Sequence, residues 1–305
     1  QSTTSEEDFL KIIRRIGMER AKISKSFEKD EQYEMGMIQL TLTPSESKKL
    51  ISSAILEMES FRNALKNGTV VIHPSSTTYF LYESLTSRTP DAWVCGVIVP
   101  EGTCINEEML PRISKISKFA QFWVFKKGEL VESPPVEELL EELGDRDVYV
   151  KAANAIDSKG NAGVLIGAPD GKGTAGRFME SDREFTTIIP VGLEKLIPSI
   201  DDTMRADPNR LRYSMGMPVY FRKLRGEVVT EIDAFKILFD AKAFLIASGG
   251  LNGAEGSVTL VVEGDVEKIK EFILKIKGAS LPRIKIPECP CSWKTCSLYD
   301  VELIR

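Results

Sequence analysis

The sequence predicts an α/β fold: a mostly parallel open sheet covered by helices, with a smaller α+β domain near the C-terminus. Three observations predict it. Short apolar runs alternate with segments of helical period across residues 43–200, the pattern of βαβ units. Those runs are apolar throughout rather than alternating, which fits strands covered on both faces. Near residue 220 the texture changes to two helices flanking two strands.

The elements follow in order. Phe9, Ile12, Ile13 and Ile16 recur at helical spacing, and Gly17 ends that run. Residues 39–42 alternate apolar and polar, as an edge strand does. Both pieces are expected to pack on the main domain. Thr43-Pro44-Ser45-Glu46 is a capping box with proline at the first helical position. Leu50, Ile51, Ala54, Ile55, Met58, Phe61 and Leu65 then line one face, and Asn67-Gly68 stops the helix. Thr69-Val70-Val71-Ile72 is a β-branched run that predicts a buried strand. A helix over 76–85 comes next. Strands are expected at 93–99, 121–125, 147–151, 162–166 and 185–191. Helices are expected at 109–119 and 136–143, with a helical turn in 193–200. Beyond 220 come a helix (232–239), a strand (241–247), a strand (257–262) and an amphipathic helix (266–276), ferredoxin-like in plan. Two more strands lie in the last stretch. Four units result: an extension (1–42), a Rossmann-like α/β domain (43–220), the small domain (221–280) and C-terminal strands with a cysteine cluster (281–305).

Composition narrows the function classes. Forty basic residues against 45 acidic leave a net charge of −5, the wrong sign for a general nucleic-acid binder. The longest strictly apolar runs, such as 243–247, fall far short of the roughly 20 residues of a membrane span. The first residues are polar and acidic, unlike a signal peptide. Five cysteines, an odd number, do not make a disulfide framework. A cytoplasmic protein is expected, with no nucleic-acid or membrane partner; a homo-oligomer stays open.

Four constellations carry candidate chemistry. In Thr69–Thr78 a strand runs into a hydroxyl-rich turn and a helix. His73, Ser75, Ser76 and Thr77 sit there, where unpaired N–H groups and the helix dipole attract an anion. Plain N-capping by Ser75 or Ser76 explains the same residues. The second is Asn154, Asp157 and the glycines 160, 163, 167, 171, 173 and 176. Glycine lets backbone approach a ligand closely, and Lys172 between Gly171 and Gly173 offers a cation; a long surface loop is the alternative. The third is Glu194 and Lys195, just past a predicted central strand. Strand carboxyl ends line the ligand crevice of open α/β sheets, whereas a solvated pair on a short helix is the plainer account. The fourth is Cys289, Cys291 and Cys296. Three thiols in eight residues suit zinc or an iron–sulfur cluster, but the spacing lacks a CxxC pair and buried inert thiols fit as well. No cofactor is otherwise expected.

The order of these parts resembles the A-type ribose-5-phosphate isomerase superfamily, which also holds coenzyme A transferases and sugar-phosphate sensor domains. The likeness covers roughly residues 45–280. Ser76-Thr77 match the end of that family's phosphate loop. Lys151-Ala-Ala-Asn-Ala-Ile-Asp157 faces its acidic motif, sharing the Ala, the Ile and the final Asp, with Lys151 and Asn154 where the family has acids. Gly171-Lys172-Gly173 echoes its lysine–glycine run. Gly192, Glu194, Lys195 and Pro198 are similar to a stretch of lactate-utilisation proteins of the same fold. The resemblance implies a crevice for a small anionic metabolite, phosphorylated or an acyl thioester. Ser75, Ser76 and Thr77 would hold the anion, His73, Asn154, Gly171, Gly173 and Lys195 would bind ligand, and Asp157, Lys172 and Glu194 would be the catalytic candidates. Sugar-phosphate isomerisation or group transfer is one expected outcome. A non-catalytic sensor, favoured by the missing acids, or a metal or redox protein using the cysteines are the alternatives.

Overall fold

The computed structural model describes residues 35–90, 93–94, 96–100, 102–105, 122–168, 170–283, 295–296 and 299–302. It is a mixed α/β structure, with one six-stranded sheet, helices and smaller antiparallel sheets. The expected helices at 9–16 and 109–119, and Cys289 and Cys291, lie outside the described residues. Among the described residues no helix is long and apolar enough to cross a membrane.

The chain enters as β1 (Met35–Leu42). Helix α1 (Pro44–Glu57) then starts on the expected capping box, with Thr43 accepting from the Glu46 N–H and Glu46 accepting from the Thr43 N–H. The single helix expected through residue 65 breaks at Met58, whose extended backbone caps α1 and opens α2 (Glu59–Asn67). Then come β2 (Thr69–Ile72) and α3 (Thr78–Thr86).

The buried strand expected at 93–99 is a different object. Gly96–Val99 (β3) and Gly102–Ile105 (β4) form a two-stranded hairpin outside the large sheet. Ile98 is exposed, so the apolar run is not a buried one. The hairpin docks on the later chain instead. Gly102 and Gly216 take positive φ, and a Cβ on either would sit about 2 Å from backbone oxygen.

The large sheet is completed by β5 (Trp123–Lys126), β6 (Glu129–Val131), β7 (Val148–Val150), β10 (Thr186–Pro190) and β12 (Glu227–Val229). Its order is β12-β10-β7-β2-β5-β6. The first four strands are parallel; β5 and β6 run antiparallel at one edge. Alternation sorts its residues into two faces. Val70, Ile72, Val148, Val150 and Ile188 pack in a core shared with α1, α2 and α3. Val71, Val124 and Tyr149 pack against α4 (Val136–Glu142) and Phe178 of α5 (Gly173–Met179). Beyond β10 the second face is covered by a small sheet of β8 (Ala155–Ile156), β9 (Ala162–Ile166) and β11 (Tyr220–Lys223), through Ile156, Val164 and Ile166. The glycine-rich stretch is therefore no single loop: it holds β9 and the start of α5.

After α6 (Ile200–Thr203) and β12, the chain forms α7 (Glu231–Phe239), β13 (Lys242–Gly249), β14 (Ser257–Asp265) and α8 (Val266–Ile276). Two helices flank two strands, as expected. The strands pair as a hairpin, and the third strand of their sheet is β1, antiparallel to β14 along its whole length. The edge strand expected to pack on the main domain thus belongs with the C-terminal layer. Two short strands close the chain, β15 (Thr295–Cys296) and β16 (Tyr299–Glu302).

Candidate functional site

The parallel strands β2, β7, β10 and β12 all point their carboxyl ends the same way. The residues that follow them are His73, Lys151, the turn Leu193–Lys195, and Thr230-Glu231. An open α/β sheet presents its ligand crevice along that edge.

At β2 the hydroxyl turn is internally bonded. Ser75 Oγ accepts the Thr78 N–H at 3.1 Å and lies 2.9 Å from Thr78 Oγ1, which donates to the His73 carbonyl at 2.7 Å. Ser75 therefore satisfies the N–H of Thr78, the first residue of α3. Thr77 is fully buried, and its hydroxyl has no hydrogen-bond partner among the described residues. The hydroxyl of Ser76, half-buried, likewise makes no hydrogen bond there. The His73 ring meets the Tyr149 hydroxyl at 3.1 Å and the edge of Phe122. Burial, with Lys151 second, holds His73 well below the usual histidine range, so it is neutral at pH 7.

At β7, Lys151 is buried and its ammonium donates to the Ala152 carbonyl at 3.0 Å. Asn154 is exposed; its Oδ1 accepts the Leu165 N–H at 3.1 Å and fixes the β8–β9 connection. Asp157 is buried with both oxygens engaged. Oδ1 accepts from the N–H groups of Lys159 and Asn161, and Oδ2 from Asn161 Nδ2 and the Ile200 N–H, at 2.9 to 3.1 Å. Burial raises its pKa, but these four donors outweigh it and bring it to about 2. Asp157 ties the loop after β8 to the start of α6.

Lys172 lies away from this edge, exposed and paired with Glu180 at 2.7 Å. Gly171 and Gly173 take positive φ at the entry to α5, where Asp170 accepts the N–H groups of Lys172 and Gly173. A Cβ at Gly171 would press on the Tyr220 ring, so this glycine serves packing. The structure does not bring Lys172 together with Glu194 or Asp157.

At β10 and β12 the arrangement is denser. Glu194 is almost enclosed, with a side chain 11% exposed, and neither carboxylate oxygen has a hydrogen-bond partner among the described residues. Lys48 Nζ, from α1, stands 3.5 Å from Oε1. The carboxylate lies over Gly192, where a Cβ would sit 1.8 Å from Oε2. Lys195 is half-buried, and its ammonium donates to the Ala153 carbonyl at 2.8 Å. Burial lowers its pKa; Glu194 opposes the shift, Lys48 adds to it and Glu231 opposes it. Glu231 is fully buried and accepts the Leu193 N–H with both oxygens. Burial, then the Glu194 charge, push its carboxyl up to about 7; the hydrogen bonds from the Leu193 N–H only partly offset them. At neutral pH this group can give or take a proton.

Sequence reasoning found Glu194 and Lys195 and missed Lys48 and Glu231. A signal for Lys48 was present: it precedes Ile51 by three and Ile55 by seven, on the apolar face of α1. Glu231 had no such signal, since an acid in the first turn of a helix is ordinarily a solvated dipole partner.

Cys296 lies on β15. Among the described residues no group of three or more His, Cys, Asp or Glu is placed to hold a metal ion. Comparison of the chain with protein-family models, with curated proteins and with solved structures finds no match in any of the three. The reading of this edge therefore rests on its own geometry.

Proposed function

We propose that this chain binds a small anionic metabolite, phosphorylated or an acyl thioester, along the carboxyl ends of β2, β7 and β10, and moves a proton on it. The observation that carries the reading is Glu194: a carboxylate enclosed by protein, without a hydrogen bond among the described residues, with the Lys48 ammonium 3.5 Å away. A buried acceptor left in this state is a place for a donor from outside the chain, such as a ligand hydroxyl or amide. Lys48, Lys151 and Lys195 give the edge a positive bias in a chain of net charge −5, which attracts an anion. The hydroxyls of Ser76 and Thr77 at the start of α3 offer donors to that anion. Glu231, titrating near neutrality, is the acid or base.

A second reading, metabolite sensing without turnover, is favoured by Asp157. Its four hydrogen bonds leave no oxygen for proton abstraction, and Lys151 and Asn154 stand where the superfamily carries acids.

Calorimetric titration with inorganic phosphate, a pentose phosphate and an acyl-coenzyme A tests the proposal. One of them is expected to bind, with Glu194→Gln and Lys195→Met each weakening it about tenfold, the scale of one charged hydrogen bond. No binding by any of the three, or binding indifferent to both substitutions, overturns it. Bound ligand recovered unchanged selects the sensor.

A further inference from the structure

Lys195 and its neighbour on the same edge, Lys151, are set up differently from Lys48 and Lys172. Lys48 faces a carboxylate, and Lys172 is exposed and paired with Glu180. The Lys151 and Lys195 ammonium groups are instead held by neutral dipoles, the Ala152 carbonyl at 3.0 Å and the Ala153 carbonyl at 2.8 Å; Lys151 is buried, whereas Lys195 is only half-buried. Lys195 stands at the carboxyl end of a central parallel strand, half-buried and within the fields of Lys48, Glu194 and Glu231. From this geometry we infer that Lys195 is a nucleophilic amine that condenses with an aldehyde or ketone ligand to form an imine. The inference rests on reading this edge as a metabolite crevice.

A lysine reacts in its neutral form. Burial and the neighbouring Lys48 charge favour that form, and the opposing Glu194 and Glu231 charges do not restore the ordinary pKa. The Nζ lone pair attacks the carbonyl carbon, a C–N bond forms, and the carbonyl oxygen takes a proton to give a carbinolamine. In reaching the carbinolamine the nitrogen gives up one of its two protons; it then loses the other as the hydroxyl takes a proton and leaves as water, and C=N forms. One carbonyl and one amine give one imine and one water, with no oxidant or reductant. The carboxyl group of Glu231, close to half-protonated at neutral pH, is suited to carry the proton in both directions.

The test treats the full chain at neutral pH with glycolaldehyde, and in parallel with glycolaldehyde phosphate, in the presence of cyanoborohydride. That reagent reduces an imine to a stable secondary amine. Peptide mass mapping then reads the adduct at each lysine. The expected result is an adduct at Lys195 that accumulates about tenfold faster than at exposed Lys172 and Lys236. Glu231→Gln, which keeps the lysine, should slow it severalfold. Labelling of Lys195 no faster than Lys172 overturns the inference, and this comparison is internal to the unmodified protein. Thermal stabilisation by glycolaldehyde phosphate with Lys195 left unlabelled overturns the imine while the metabolite reading stands. Selective labelling by glycolaldehyde with no preference for the phosphate supports the imine and removes the anion from the proposed function.

Discussion

Both carboxylate oxygens of Glu231 accept the backbone N–H of Leu193, at 2.9 and 3.2 Å. This contact ties the first residue of α7 to the turn that carries Glu194 and Lys195. A buried acid thus fixes the position of the two residues beside it in the candidate site, and its protonation bears on stability as well as chemistry.

The pH dependence has a definite sign. Burial first, and Glu194 second, raise the Glu231 carboxyl from 4.5 to about 7 in the folded chain. The folded state therefore binds this proton more tightly than the unfolded state. The group's contribution to stability falls as pH rises from about 4.5 to about 7 and is level above that. The shift is equivalent to on the order of 3 kcal/mol. Urea unfolding at about pH 5 and about pH 7.5 should show this loss, and Glu231→Gln should remove most of it. An unchanged slope in the glutamine variant would show that another group is responsible.

Asp157 should behave as structure rather than chemistry. Asp157→Ala leaves the N–H groups of Lys159, Asn161 and Ile200 without their acceptor and should destabilise the chain by about 2–4 kcal/mol. Asp157→Asn should recover part of this. If Asp157→Asn keeps full stability yet abolishes turnover of a ligand found by titration, the residue is catalytic after all.

Gly192 separates binding from stability. Its φ of −75° suits any residue, but a Cβ there meets the Glu194 carboxylate at 1.8 Å. The obstacle is the end of a flexible side chain, so Gly192→Ala should swing Glu194 aside at a stability change under about 1 kcal/mol. Ligand affinity should fall together with the Lys48 contact. Equal affinity in wild type and Gly192→Ala would mean that the Glu194 position does not matter to binding.

The turn before α3 gives a paired contrast. Ser75 accepts the N–H of the first residue of α3, so Ser75→Ala should cost about 1 kcal/mol of stability. Ser76 forms no hydrogen bond among the described residues, so Ser76→Ala should leave the melting temperature unchanged. It should weaken a phosphorylated ligand by about 1 kcal/mol. A Ser76→Ala variant that binds the ligand as tightly as wild type removes this turn from the site.

What the sequence made legible was local. The capping box at Thr43, the β-branched run at 69–72 and the amphipathic period of 266–276 are decided by neighbours a few residues apart, and each reads correctly. The stretch 93–99 reads as a single buried strand, not half of a hairpin, because an apolar run carries no record of its partner. The hairpin's place depends on two glycines at 102 and 216, more than a hundred residues apart. The same limit governs the site. Glu194 and Lys195 were legible from following a strand. Glu231 became part of the cluster only because β12 lies beside β10, a pairing that no local pattern records.

The full-length pairing of β1 with β14 joins Met35 to Asp265 and Leu42 to Val258. On the ribosome, β1 emerges early and must wait while more than two hundred further residues are made. At about 5–20 residues per second that wait is on the order of ten seconds or more, with a β-strand edge open throughout. The β1–β14 layer is therefore completed only after every strand of the large sheet has been made, and a message cut short before β14 leaves β1 without that partner. Such nascent fragments are natural clients for chaperones that shield strand edges.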